Sequence, residues 1–190
     1  MRVVLASASP RRAELLRAAG IAFETCAVTV DESTRPGESA PGYVRRLAME
    51  KSALGQAVVP DTTAAPVIIG ADTAVVVDGQ ILGKPRDAGE AERMVRRLAG
   101  TRHDVITGVS VRRGASEIGC VESTAVFCAA LTEADIAWYV ASGEGLDKAG
   151  GYAIQGLASR FITRIEGSYS NVVGLPIAAL FGLLRQLEQG

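Results

Sequence analysis

The segment Ser7-Ala8-Ser9-Pro10-Arg11-Arg12 brings two hydroxyls and two guanidinium groups to the point where a strand gives way to a helix. Val3, Val4 and Leu5 read as a short buried strand, and Pro10 suits a first helical position, where its missing N–H would lack a partner anyway. The first turn of such a helix exposes backbone N–H groups and the positive end of the macrodipole, so phosphate is a natural ligand there. Arg11 and Arg12 oppose that dipole and cost stability until an anion arrives. A pair of solvated surface arginines is the other reading, and the Ser-x-Ser-Pro ahead of them weighs against it.

Further along the chain, Asp72 sits where the apolar strand Val67-Ile68-Ile69-Gly70 stops at Ala71-Asp72-Thr73. A carboxylate there is held by rigid backbone and suits acid–base work or the capping of the next turn. Lys84 precedes Pro85, which restricts it to extended backbone and fixes its direction. Asp31-Glu32 follow Val28-Thr29-Val30 and, with Asp72, offer hard oxygen ligands for Mg²⁺, or else form a solvated acidic loop. Lys51 falls seven residues after Val44, on the buried side of a helix, where it either snorkels or faces a site. The glycine-rich stretch 143–156 carries Asp147, Lys148 and Gln155; the Gln155 amide matches the donor and acceptor edge of a pyrimidine, although most glutamines are simply exposed.

His103 is the single histidine, which excludes Ser-His-Asp hydrolysis and a His-rich metal site, and its neighbours Thr101 and Arg102 after Gly100 place it at a turn or strand edge. The 190 residues carry 20 Lys+Arg against 21 Asp+Glu, so anion binding must be local, and no global charge points to nucleic acid or an anionic membrane. Cys26, Cys120 and Cys128 are dispersed without metal-ligand spacing, and no secretory signal precedes Arg2, which fits a reducing cytoplasm. The apolar runs are far shorter than the ~20 residues of a membrane span.

The elements that must position these residues follow from periodicity and caps. A second strand is predicted over 23–28, and a helix from Ser39 and Pro41 to about Gln56 with Val44, Leu47, Ala48 and Leu54 on its apolar stripe. A hairpin over 74–82 turns at Asp78-Gly79, the pair that a type I′ turn demands. Asp87 caps a helix with Ala91, Met94, Val95 and Leu98 inward, closed by Gly100. Strands follow over 105–112 and 119–130, then a helix capped by Thr132 with Ile136, Val140 and Trp138 inward. A last helix begins at Pro176 and packs through Leu180, Leu183, Leu184 and Leu187, while 33–42 and 60–66 read as loops. The mixture predicts an α/β (mixed α+β) fold, a twisted mixed sheet flanked by helices, in a single domain over 1–190. G-x-x-x-x-G-K-[ST] is absent, as is a G-x-G-x-x-G after a strand, which disfavours the usual nucleotide folds.

Taken in order, Ser7-Ala8-Ser9-Pro10-Arg11-Arg12, Asp31-Glu32, Glu50-Lys51, Gly70-Ala71-Asp72-Thr73, Leu82-Gly83-Lys84-Pro85, Asp147-Lys148-Ala149-Gly150, Ile154-Gln155-Gly156 and Gly174-Leu175-Pro176 resemble the Maf family of nucleoside triphosphate pyrophosphatases. Arg12, Thr73 and Gln155 match the substrate-selecting positions of the members that hydrolyse dTTP and UTP. The resemblance implies two lobes with a nucleotide cleft, hydrolysis of the α–β phosphoanhydride, a divalent cation (Mg²⁺ or Mn²⁺) and a homodimer, with no stable nucleic-acid partner and no membrane. It implies Asp72 as the acceptor of the water proton or the holder of that water on the metal, with Glu32 sharing the ion. Arg11, Arg12, Lys51 and Lys84 would offset phosphate charge, Ser7 and Ser9 would donate to phosphate oxygens, and Thr73 and Gln155 would read the base. A purine or 7-methyl-GTP pyrophosphatase of the same fold, or a non-catalytic nucleotide or nucleic-acid binder linked to septum formation, is the alternative. One departure stands out: Ala153 occupies a position where the family more often has glycine, which would strain the loop if φ there were positive.

Overall fold

The structure, a computed structural model, describes residues 1–60 and 65–189. The loop expected over 60–66 therefore lies largely outside the described residues. In chain order the elements are β1 (Val3–Leu5), α1 (Pro10–Ala18), β2 (Glu24–Thr25), α2 (Ala40–Val58), β3 (Val67–Val77), β4 (Gln80–Leu82) and α3 (Ala88–Leu98), then β5 (Arg102–Arg113), β6 (Ser116–Cys128), α4 (Glu133–Ala141), β7 (Ile162–Glu166), α5 (Tyr169–Val173) and α6 (Ile177–Gln189). The strands form one mixed sheet in the order β2-β1-β3-β5-β6-β7, with β4 paired to β3. Its β1 pairs parallel with β2 and β3, while β3–β4 and β6–β7 are antiparallel. The mixed α/β class with a helix-flanked sheet is thus as the sequence predicts. No helix of the described residues is long and apolar enough to cross a membrane.

The chain divides into two compact units, the first made of Met1–Thr73, Thr107–Glu122 and Gly174–Gly190 and the second of Ala74–Ile106 and Ser123–Val173. In the first unit the period-2 alternation of β3 sorts its side chains between two different helix layers. Val67, Ile69 and Ala71 pack with Ala13 and Leu16 of α1 and Leu180 and Leu184 of α6. The intervening Gly70 faces α2 so closely that a Cβ there would lie 2.2 Å from the Ala48 carbonyl oxygen and 2.6 Å from the Ser52 nitrogen. Gly108 does the same on β5, 2.3 Å from the carbonyl oxygen of Val44. These bare positions let α2 lie directly on the sheet, and Ser52 then bonds Ser110 of β5 at 2.8 Å. Gly70→Ala should accordingly push α2 away. Overpacking of this kind costs about 1–3 kcal/mol, which at about 2–4 °C per kcal/mol for a chain of this size lowers Tm by about 2–12 °C in a thermal melt.

Beyond Thr73, β3 does not stop. It runs unbroken to Val77, so Asp72 stands inside an 11-residue strand and not at its end. The second unit packs Val75, Val77 and Leu82 against Met94 and Leu98 of α3, and the expected turn is present, with Asp78 at φ 49° and Gly79 at φ 72°. Asp87 caps α3 by accepting from Glu90 N, and Ala91, Met94, Val95 and Leu98 are its buried stripe, as predicted. On α4 the expected facing is partly reversed, since Tyr139 is 1% exposed and Trp138 42%. His103 is no turn residue: its ring is buried in β5, with Nε2 2.7 Å from the Tyr152 hydroxyl, and burial pushes its pKa down to about 4. The strand expected over 23–28 shrinks to Glu24–Thr25, Leu54 of the predicted stripe is exposed, and the short helix α5 is one that no periodicity signals.

Candidate functional site

In the first unit, α1 opens as the sequence predicts, with Ser9 as the N-cap residue, Pro10 in the first turn and no acidic side chain there. Ser9 makes no side-chain capping bond; its N–H donates to Ser7 Oγ at 3.2 Å. Arg12 is 9% exposed, whereas Arg11 is only half-buried. The Arg12 guanidinium reaches across the unit: Nε donates to the Gly174 carbonyl at 2.8 Å, Nη1 to Ser7 Oγ at 3.2 Å and Nη2 to Thr73 Oγ1 at 3.2 Å. All three acceptors are neutral, and among the described residues no carboxylate forms an ion pair with it. Burial is the main influence lowering its pKa, with Arg11 adding to it, against the fields of Asp72 and Glu32. An arginine stays charged nonetheless, so a buried cation is held here without a matching anion in contact.

On the neighbouring residue of β3, alternation turns the side chain to the opposite layer. Asp72 meets α2, where its Oδ1 accepts from Lys51 Nζ at 2.7 Å. The same ammonium donates to Glu32 Oε1 at 2.8 Å. Lys51 and Asp72 are both buried, and Glu32 is about half exposed at the side chain. Lys51 therefore does not snorkel to solvent; its ammonium is held between two carboxylates.

Glu32 rides on a loop without regular structure, and α2 holds that loop in place. Tyr43 donates its hydroxyl to the Glu32 carbonyl at 2.9 Å, and Arg46 bonds both Glu38 oxygens, at 2.6 and 2.8 Å, and the Ser33 carbonyl at 3.0 Å. Those Arg46 bonds bring the Glu38 pKa down to about 2. Burial, reinforced by the charges of Asp72 and Glu32, raises that of Tyr43 to about 12. Asp31 is used differently from its neighbour: its Oδ1 accepts from Ser33 N at 2.9 Å, an Asx turn that shapes the loop. Asp31 thus does not complete a three-carboxylate set with Glu32 and Asp72. Among the described residues no group of three or more His, Cys, Asp or Glu side chains could hold a metal ion.

Two carboxylates converging on one ammonium are still a fitting donor set for a hard divalent cation. Mg²⁺ is commonly bound through one or two carboxylates together with substrate phosphates, and only rarely in an all-protein cage. Glu32 and Asp72 fit that pattern and would not fit a metal that needs nitrogen or sulfur ligands.

The first unit thus brings together Ser7, Arg12 and Thr73 on one side of β3 and Glu32, Lys51 and Asp72 on the other. Lys84 and Gln155 belong to the second unit, where both are exposed. The loop of Lys84 is tied by Gly150 N donating to the Gly83 carbonyl at 3.0 Å. That of Gln155 is tied by Leu157 N donating to Glu144 Oε2 at 2.8 Å. Ala153 is not in the left-handed region, where Asp78 is the non-glycine residue found among those described, so the departure from glycine strains nothing. Thr107, 0% exposed, and the Gly174 carbonyl are the participants that sequence reasoning missed. The signal for Thr107 was present: it shares the alternation of Val109 and Val111, a hydroxyl on an otherwise apolar buried face.

A family model described as "Maf-like protein" matches residues 2–187. Among similar curated proteins, a dTTP/UTP pyrophosphatase of Anaeromyxobacter sp. (strain Fw109-5) is 53% identical over 97% of this chain and 89% of its own. The dTTP/UTP pyrophosphatase of Escherichia coli O157:H7 is 47% identical over 95% and 90%, and that of Syntrophus aciditrophicus (strain SB) 44% identical over 98% and 90%.

Proposed function

The chain belongs to the Maf-like protein family, and we propose that it is a nucleoside triphosphate pyrophosphatase acting on dTTP and UTP, releasing the nucleoside monophosphate and pyrophosphate. The relatives named above carry that activity in their names at 44–53% identity over nearly the whole chain. One observation in the molecule carries the reading furthest: the buried Arg12 cation, bonded only to neutral oxygens, lies within the field of the Asp72 carboxylate, whose partner Lys51 also bonds Glu32. A polyanionic substrate supplies the negative charge that Arg12 lacks, and a carboxylate beside phosphates has a use in hydrolysis that a mere binder would not need.

In this reading Asp72 takes the proton from the attacking water on Oδ2, since Oδ1 already accepts from Lys51. Lys51 holds that carboxylate in place and offsets charge that grows on the phosphate oxygens, a task of positioning and electrostatics. Arg12, with Arg11 beside it, binds substrate oxygen through N–H bonds its protein partners leave unused. Ser7 is already an acceptor for Arg12 and for Ser9 N, so its hydroxyl proton is what it has to offer a phosphate. A divalent cation held by Glu32 and Asp72 would supply Lewis-acid charge to the phosphates. Lys84 as a phosphate cation and Gln155 as the base-reading amide enter the reading from the family resemblance. The three free cysteines support a cytoplasmic setting; a homodimer without a stable nucleic-acid partner completes the reading.

The test is a nucleotide panel with Mg²⁺ or Mn²⁺, comparing dTTP, UTP, dCTP, ITP and 7-methyl-GTP and separating pyrophosphate from orthophosphate. The expected result is pyrophosphate release with dTTP and UTP preferred. Preference for ITP or 7-methyl-GTP would move the protein to another branch of substrate choice, and orthophosphate as the first product would sink the proposed bond cleavage.

A further inference from the structure

The hydroxyl of Thr73 is more fully committed to the protein than a base-reading group should be. It accepts from Arg12 Nη2 at 3.2 Å, lies 2.9 Å from Thr107 Oγ1, and lies 3.3 Å from the Gly174 carbonyl oxygen. A hydroxyl has one proton and two lone pairs. If Thr107 donates, Thr73 accepts twice and gives its own proton to Gly174, and nothing is left over. If Thr73 donates to Thr107, one lone pair remains. Either way the proton stays within the protein.

Arg12 shows the opposite balance. Three of its five N–H bonds are used, by Gly174, Ser7 and Thr73, and two remain for a ligand. The Gly174 carbonyl oxygen accepts from Arg12 Nε and lies 3.3 Å from Thr73 Oγ1, so the three groups close into a cycle of contacts. Thr107 is fully buried and braces that cycle from β5. Being planar, a guanidinium fixed at three nitrogens has the direction of its remaining N–H bonds fixed as well.

We propose that Thr107 is a positioning residue that, through Thr73, sets the plane of the Arg12 guanidinium, and that Arg12 rather than Thr73 donates to the substrate. The ligand chemistry is an acceptor oxygen of the nucleotide, from either its phosphates or its base. The inference rests on the pyrophosphatase reading above and deepens it.

A double-mutant cycle between positions 107 and 12 tests it. Thr107→Val removes the hydroxyl at nearly constant shape and should raise KM for UTP about 10-fold, the worth of one hydrogen bond, with kcat changed much less. Thr107→Ser restores the hydroxyl and should restore KM. In an Arg12→Lys background Thr107→Val should have almost no further effect, an outcome that a purely structural role would not produce. Should Thr107→Val fail to fold, as judged by its melt, Thr107→Ala serves in the same cycle. Binding of inorganic tripolyphosphate to the same four proteins separates the sources of the oxygen: weakened binding assigns Arg12 to phosphate, and unchanged binding with a raised KM for UTP assigns it to the base. Additive effects at the two positions, no rescue by serine, or an unchanged KM would each overturn the proposal. If the wild-type protein released no pyrophosphate from any nucleotide, the function reading would fall separately, while the tripolyphosphate cycle would still decide whether Thr107 acts through Arg12.

Discussion

Asp72→Asn should lower kcat for UTP by about 10²–10⁴, the range expected when a general base is lost, and leave the fold intact. The reason lies in how the carboxylate is held. Removing one member of a buried ion pair usually destabilises by about 3–5 kcal/mol, because the other charge is left without a partner. Lys51 escapes that fate, since it also bonds Glu32 at 2.8 Å. The amide oxygen of the substituted residue can accept from the ammonium as Oδ1 does in the native protein. Loss of rate would therefore report on chemistry and not on folding. Initial-rate measurements beside a thermal melt make the comparison, and a kcat within about threefold of the parent would remove Asp72 from the role of base.

Much of this site was legible from single residues because local physics decides them. Pro10 at a helix start, the Asp78-Gly79 turn and the Asp87 cap each satisfy a requirement of their own few neighbours, and each appears as read. Lys51 was legible through spacing alone, since a position seven residues from Val44 has to face the same layer. The run of β3 through Asp72 was not legible. Aspartate is disfavoured in strands, and what overrides that preference is an ion pair with a residue 21 positions away. The shrinkage of β2 has a similar source, because its partner β1 is only three residues long and cannot support a longer ladder. On α4, Trp138 and Tyr139 are adjacent apolar candidates on a nine-residue helix. Their facing is decided by Arg160 lying 4.4 Å from the Trp138 ring centroid and by Glu144 accepting from the Tyr139 hydroxyl at 3.1 Å. Sequence periodicity resolves layers; it does not resolve contacts made between layers or between distant segments.

The second large effect is expected at Arg12, where charge and geometry can be separated. Arg12→Lys keeps a cation but replaces a planar fork with a point donor. The native side chain joins α1, β3 and the start of the segment leading to α6 by bonding Ser7, Thr73 and the Gly174 carbonyl together. A lysine ammonium carries three N–H bonds in a different geometry. To bind substrate at all it must give up bonds that the guanidinium makes to Ser7, Thr73 or the Gly174 carbonyl. Charge-assisted bonds to the substrate are worth about 1.5–3 kcal/mol apiece. Losing the pair that Arg12 can still make therefore corresponds to about 10²–10⁴ in kcat/KM. Thr73→Ser should by contrast change little, because the hydroxyl that holds the guanidinium is retained. Steady-state kinetics with UTP on the two variants separates the roles. An Arg12→Lys enzyme with parental kcat/KM would show that positive charge alone suffices at this position, and the guanidinium geometry around Thr73 and Gly174 would then have no part in substrate recognition.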